Sequence, residues 1–480
     1  MEINDTLHPV TKLNPDAVMI AEQLDKERKT KKIRGPLHGL PVLFKGNIET
    51  NDKLQAIAGS YALLGARSNE DAPVAKKLRD AGAIILGKNG LSQWGNFRST
   101  NSSNGWSAYG GQVAGAYYPK QDPSGSSSGS AVSSDLGLAW AAIGAETSGS
   151  IISPSSRNNI VGIKPTVGLT SRRLVVPISS HQDTIGPMTR TVKDAALLLQ
   201  VIAGKDSGDN YTSAIPFRSI PNYVSACKPS GLKGKRIGVP ANVLEAFGAD
   251  PFNKPIIDAF NAGLGAMEKA GATIVRNTNY TAYSEFASSD IPLKVLLADF
   301  LGDIAKYFSQ LKLNPQNLHT LEDARKFTQS FRLEEYPSRN TELWDQAIEQ
   351  GFNNTSPNFW PLYQKNLYFG GEGGVLGAIA RHRLDAVVLP SDPAYPIPAV
   401  VGSPVVTVPL GAYPQNQQVR HDQRGELVDV GPGIPFGVSF MGKHWTEESL
   451  IGMAYAFEQT TKIRGGLKRY IEPKTELKRK

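Results

Sequence analysis

Two clusters of serine and glycine are the residues best suited to chemistry in this chain: Gly125-Ser126-Ser127-Ser128-Gly129-Ser130 and Glu146-Thr147-Ser148-Gly149-Ser150-Ile151. Each can form a tight turn whose backbone N–H groups converge on one space, glycine supplying the conformational freedom. Donors aimed this way suit a developing oxyanion. A serine placed there still needs a base, and none of the seven histidines (His8, His38, His181, His319, His382, His421, His444) stands in an HExxH, HxH or nucleophile-elbow context. The remaining candidate is a lysine kept neutral by burial. Lys45 follows the apolar run Leu40-Pro41-Val42-Leu43-Phe44, and its pKa would have to fall several units from a free value of about 10.4. On the residues alone a plainer reading stands beside this one, because Ser/Gly turns are common loops and a lysine after a strand usually faces water. Paired carboxylates for glycoside chemistry are neither supported nor excluded by spacing.

The elements that would position these residues follow α/β grammar. Residues 14–28 predict a helix with Ala17, Ile20, Ala21 and Leu24 on one face, and the run 40–44 predicts a buried strand ending at Lys45. Residues 72–82 predict a second helix, followed by a strand at 83–86. Gly82 to Lys88 fits the glycine and lysine positions of a phosphate loop, but strand formers occupy its middle and Asn89 replaces the required Ser/Thr, which argues against a nucleotide site. Between Ser99 and Ser134 the Ser/Gly/Asn bias resembles a linker. Yet Leu136–Ile143 is small and apolar, so the two serine clusters bracket a buried element, and loops pinned this way usually carry function. Beyond residue 205 the pattern weakens to a strand at 236–239 and helices at 255–270 and 321–333; apolar strands return at 386–389 and 405–408, and an amphipathic helix at 447–459 closes the chain. Trp344, Phe352, Phe359, Trp360 and Tyr363 could line an apolar pocket, though aromatics in a helical insertion are more often core.

Composition sets outer limits. With 480 residues, 40% hydrophobic and 20% charged, the chain is a folded globular protein rather than a disordered one. Its net charge of +8 is spread out, with short runs only at Lys29–Lys32 and Lys474–Lys480; these read as solvated ends, and no nucleic-acid partner is expected. The single Cys227 rules out an intramolecular disulfide and a multi-cysteine metal site. No window is long and apolar enough for a membrane span, and the first twenty residues hold Glu2, Asp5, Lys12 and Asp16 in place of a signal peptide. A cytoplasmic location is favoured, although six N-x-S/T sequons leave secretion open.

The order Gly35-Pro36-Leu37-His38-Gly39-Leu40-Pro41-Val42-Leu43-Phe44-Lys45, then Gly-Ser-Ser-Ser-Gly-Ser, then Glu-Thr-Ser-Gly-Ser-Ile resembles the amidase signature family. The likeness continues through Gly162–Leu169, Asp183–Val192 and Pro435–Phe440, nearly the whole chain. It implies an α/β fold in one large domain, with a central mixed, mostly parallel sheet covered by helices on both faces. The catalytic core would cover about 35–200 and 384–460, and a helical elaboration about 205–370. It further implies hydrolysis of linear carboxylic amides through a serine acyl-enzyme, on a small-molecule amide substrate, without metal or other cofactor, and it admits a homodimer. Carried over by position, Lys45 matches the family's base, Ser150 its nucleophile and Ser126 the serine between them that follows a cis peptide bond. The oxyanion donors would be the N–H groups of Thr147, Ser148, Gly149 and Ser150.

Three departures qualify the match. Gly46 stands where the family usually has Asp, so Lys45 is expected to be less well supported; Ile152 stands where many members have Arg; and only 44 residues precede Lys45, which suggests a shortened or incomplete N-terminus. Two alternatives follow: an impaired amidase-fold binding protein, or the amidase subunit of a tRNA-dependent amidotransferase.

Overall fold

The computed structural model describes residues 3–474, so the basic run at the C-terminus lies almost wholly outside the described residues. Eleven strands form one sheet: β1 Val10–Leu13, β2 Pro41–Lys45, β3 Ile84–Asn89, β4 Ala141–Glu146, β5 Val161–Lys164, β6 Thr184–Thr189, β7 Arg236–Val239, β8 Thr273–Arg276, β9 Ala386–Pro390, β10 Val405–Ala412 and β11 Pro435–Met441. Their order across the sheet is β1-β3-β2-β4-β6-β5-β10-β11-β9-β7-β8.

Burial on both faces explains why these segments read as nearly continuous apolar runs. Val42 and Phe44 join the largest core while Leu43 packs on the opposite face, and along β9 Val388 likewise opposes Val387 and Leu389. Helices Val192–Ile202, Lys254–Lys269 and Glu447–Thr461 cover the first face. Helices Ile152–Arg157 and Val375–His382 contribute to the second. No helix among the described residues is long and apolar enough to cross a membrane.

The sheet is mixed, but parallel pairing does not predominate. Four of its ten junctions are parallel, β3/β2, β2/β4, β9/β7 and β7/β8, and six are antiparallel. The reason lies in the connections. Helices Pro73–Asp80 and Ser128–Asp135 carry the chain across from β2 to β3 and from β3 to β4, and such crossovers return strands parallel. Between β5 and β6 there is no helix, and between β10 and β11 only a small ribbon, Arg420–His421 with Val428–Val430, so the chain turns back. β6 thereby inserts antiparallel between β4 and β5, and β11 between β10 and β9.

Of the helices that escaped the pattern reading, two bear on the site. Ser128–Asp135 is buried at all eight positions, so it has no polar face to reveal a helical period. Gly129 within it lies against the backbone of β1 and β3's neighbours: a Cβ there would meet Pro9 O at 2.3 Å and Gly90 O at 2.6 Å. The other, Ile291–Ser309, joins Leu321–Ser330 and Glu342–Gln350 in a second core around Phe300 and Trp344. Trp94 and Phe97 from the N-terminal half reach into that core, and Trp344 Nε1 donates to Phe97 O at 2.7 Å.

One buried ion pair joins the two halves. Glu334, fully buried, accepts from Ser60 Oγ at 2.7 Å, Tyr61 N at 2.8 Å, Gln93 Nε2 at 2.6 Å and Arg98 Nη1 at 3.1 Å. Removing its carboxylate strands the buried Arg98 and three further donors. Glu334→Ala is therefore expected to cost about 3–5 kcal/mol in chemical denaturation, against a few tenths for an exposed glutamate such as Glu22. A loss below about 1 kcal/mol would show that the pair does not hold the halves together.

Candidate active site

Strand β2 ends on Lys45, and its pairing with β3 and β4 sends the side chain into the protein beneath the two serine turns. The lysine is 1% exposed. Its Nζ donates to Ser126 Oγ at 2.7 Å and to Ala145 O at 2.8 Å. Burial drives its pKa down from 10.5 to about 7, while Asp183 and Glu146 pull it partly back up. Burial alone does not single it out, because Lys88 and Lys164 are equally enclosed and both fall to about 8. Those two spend Nζ on the carbonyl oxygens of Ile48 and Ser403. Lys45 alone among these three reaches a hydroxyl.

Ser126 opens the turn into helix Ser128–Asp135, and the Gly125–Ser126 peptide is cis. Ser150 closes the turn after β4. Ser127 N donates to Ser150 O at 3.1 Å, which fastens one turn to the other. Lys45 and Ser126 line a small cavity of about 130 Å³, and Ser148, Gly149 and Ser150 line a neighbouring one of about 370 Å³. Gly95, Thr147 and Ile178 border both. The three expected residues are thus gathered at the junction of two cavities, with the Ser126 and Ser150 hydroxyls not hydrogen-bonded to each other.

Glu146, an acid ending an otherwise apolar strand, shapes the second turn. Its carboxylate accepts from Gly149 N at 2.8 Å, Ile151 N at 2.6 Å and Ile152 N at 2.9 Å. Of the four N–H groups expected as oxyanion donors, that of Gly149 is taken up by Glu146, while those of Thr147, Ser148 and Ser150 meet no acceptor among the described residues. Gly149 is required for another reason. Its φ is +84°, and a Cβ would strike the Tyr395 ring at 2.7 Å.

Asp183 completes the surroundings. It accepts from Thr147 Oγ1 at 2.6 Å and Ile178 N at 2.9 Å, and burial raises its pKa to about 6. Sequence reasoning quoted both Glu146 and Asp183 within motifs but gave neither a role; the signal was a carboxylate embedded in a strand or turn otherwise free of charge. Conversely, no histidine borders either cavity, and none of the five noted aromatics lines the cavity at Ser150. Trp344 and Phe359 are core, and Trp360 is 59% exposed.

Two of the departures have local explanations. At Gly46 a Cβ would lie 3.0 Å from Asn89 O and 3.2 Å from Leu91 Cδ2, so the backbone packs too closely for an easy return to aspartate. Ile152 is fully buried in the core with Leu389, Val405 and Met441. The guanidinium bordering the Ser150 cavity comes instead from Arg157, at the other end of the same helix.

Known proteins resemble this chain along almost its whole length. The family model described as Amidase matches residues 1–451. A protein of Arthroderma benhamiae bearing an amidase name is 62% identical over 477 residues, covering 99% of this chain and 80% of its own. A similarly named protein of Arabidopsis thaliana is 37% identical, covering 96% and 85%. Among solved structures, the native peptide amidase of Stenotrophomonas maltophilia superposes with a TM-score of 0.84 at 37% identity, over 96% of this chain and 91% of that one. The sheet, the turns and the relatives converge, and the chain belongs to the amidase family.

Proposed function

We propose that this amidase cleaves linear carboxylic amides of the peptide type, with Ser150 as nucleophile, Ser126 as relay and Lys45 as base. The observation that carries the reading is the buried Lys45 Nζ, 2.7 Å from Ser126 Oγ, with a pKa brought down to about 7. Neutral at working pH, this amine can accept a proton, which a solvent-facing lysine cannot. Ser150 Oγ attacks the amide carbon, and its proton passes through Ser126 Oγ to Lys45 Nζ. The N–H groups of Thr147, Ser148 and Ser150 receive the oxyanion. As the C–N bond breaks, the proton returns by the same route to the leaving nitrogen. Water then attacks the acyl ester, with the relay again acting as base, and releases the acid. The contact between the two serine hydroxyls forms when substrate fills the cavity, since catalytic hydrogen bonds commonly tighten only in the complex.

The peptide type rests on the likeness to the peptide amidase and on a cavity of about 370 Å³, within the range that holds a small-molecule ligand. An amidotransferase subunit is the weaker reading, since the relatives just described carry amidase names and span almost the whole chain.

Deprotonated Lys45 is the active form, so kcat/KM on a neutral amide should climb with pH through an apparent pKa near 7 and level off above it. Ser150→Ala should lose about a thousandfold or more, and Ser126→Ala less, because a water can partly replace a relay hydroxyl. A pH–rate profile that is flat between about 6 and 8 would remove Lys45 from the role of base. Labelling by a fluorophosphonate checks the nucleophile separately: wild type should label and Ser150→Ala should not.

Stability gives a further test with its own sign. Folded Lys45 titrates near 7 and unfolded lysine near 10.5, so the folded state binds fewer protons between those values. Burying this lysine therefore weakens the fold most below about pH 7, and the penalty fades as pH rises toward 10.5. Lys45→Met lifts the penalty, while Ala145 O keeps a donor in Ser127 Oγ at 3.1 Å. The variant should lose turnover yet melt higher than wild type, with a larger gain near pH 6 than near pH 9. A lower Tm at both pH values would contradict an uncharged buried lysine.

A further inference from the structure

The cavity at Ser150 has an apolar side, formed by Phe97, Ile178 and Leu296, and a charged wall of Asp122, Arg157, Asp392 and Asp429. Three of those four charges are satisfied within the protein. Asp122 accepts from Ser124 N at 2.7 Å and Asn104 Nδ2 at 3.0 Å. Asp429 accepts from Arg157 Nη2 at 2.9 Å and from Arg420 Nη2 at 2.9 Å and Nε at 3.1 Å. Arg157 adds a second bond to the same residue, from Nη1 to Asp429 O at 2.8 Å.

Asp392 is the exception. Its contact with Arg157 is 3.8 Å, too long for a hydrogen bond, and its Oδ1 is buried with no partner among the described residues. A shielded carboxylate oxygen without a donor is costly unless a ligand supplies one. The residue is also held in place. Its neighbour Ser391 hydrogen-bonds Thr407 Oγ1 on β10 at 2.7 Å and Ser439 Oγ on β11 at 2.9 Å, which pins the turn carrying Asp392 to the sheet.

Charge decides what kind of donor fits. Three carboxylates border this cavity against one guanidinium, which hydrogen-bonds Asp429 and stands 3.8 Å from Asp392 without a hydrogen bond to it. Resting on Ser150 as the nucleophile, we propose that Asp392 is a specificity-determining residue that binds a cationic nitrogen, an ammonium or guanidinium, on the amide substrate held at Ser150. The Asp392 carboxylate, a quarter of its side chain exposed, accepts the charge-assisted hydrogen bond, and the apolar side receives the carbon skeleton. Burial raises Asp122 to about 6, so the wall carries its full negative charge only above that pH.

The test measures kcat/KM for two matched pairs of primary amides at neutral pH. One pair is N-acetyl-arginine amide and N-acetyl-citrulline amide; the other is alanine amide and N-acetyl-alanine amide. Wild type should prefer the cationic member of at least one pair by about tenfold, and in Asp392→Asn that preference should fall below about threefold. Turnover of the neutral amides with no preference for charge overturns the proposal and leaves Ser150 in its role, and so does a preference that survives Asp392→Asn. No turnover of any of the four amides, together with no fluorophosphonate labelling, overturns both. The wild-type comparison needs no variant, so a misfolded Asp392→Asn does not shield the proposal.

Discussion

The contact on which the rest of the site depends is that between Lys45 Nζ and Ser126 Oγ, made between two almost fully buried side chains. An ammonium there would carry a desolvation cost that two hydrogen bonds do not offset, and a free amine carries little. The same enclosure that destabilises the charged form leaves a neutral amine able to take the proposed role of base. Asp183 and Glu146 limit the effect: without their negative charge the lysine would fall further still and lose the basicity that proton transfer requires. The site therefore balances desolvation against two carboxylates, and both carboxylates have second tasks. Glu146 folds the Ser150 turn and Asp183 holds Thr147, so the groups that tune Lys45 also position the N–H groups proposed to receive the oxyanion.

The sheet supplies the rigidity this balance needs. Lys45 and Glu146 end adjacent parallel strands, β2 and β4, so base and turn are fixed by the same ladder. Ser126 reaches the site from the crossover between β3 and β4, whose helix is buried at every residue and packs so tightly that Gly129 leaves no room for a side chain. Catalytic residues on strand ends and helix starts hold their geometry better than residues on free loops. The elaboration flanks the site: Gly95 and Phe97 border the Ser150 cavity, and Trp94 and Phe97 pack into the Trp344 core.

How much of this was legible depended on whether a residue's setting is local. Lys45 could be read because an apolar run of five residues is a local signal for a buried strand, and the strand runs 41–45. Strand 236–239 and the start of the last helix at 447 also match their patterns, each having a clear apolar period. The helix at 128–135 could not be read, since complete burial erases periodicity, and neither could the reversals of β6 and β11, which depend on long-range insertion between strands already paired. Four oxyanion donors were expected where Glu146 leaves three, because a carboxylate turned back on its own turn looks in sequence like any acid after a strand. Asp392 was missed for a similar reason: what sets it apart is a partner it lacks, and an unmade hydrogen bond leaves no mark on a sequence.

Gly46 illustrates how a departure from a family pattern can support the chemistry it seems to weaken. An aspartate next to Lys45 would place a third carboxylate beside a lysine already attracted by Asp183 and Glu146, and each nearby negative charge favours the ammonium. Its effect would be to raise the lysine's pKa and shrink the neutral fraction near pH 7. Support for the lysine does not require it, since Ala145 O already accepts from Nζ at 2.8 Å and Ser126 Oγ takes the other bond. Space opposes it as well, with Asn89 O 3.0 Å from where the Cβ would stand. Glycine at this position keeps the backbone close against β3's end and leaves the tuning of the base to two carboxylates that the fold already needs for its turns.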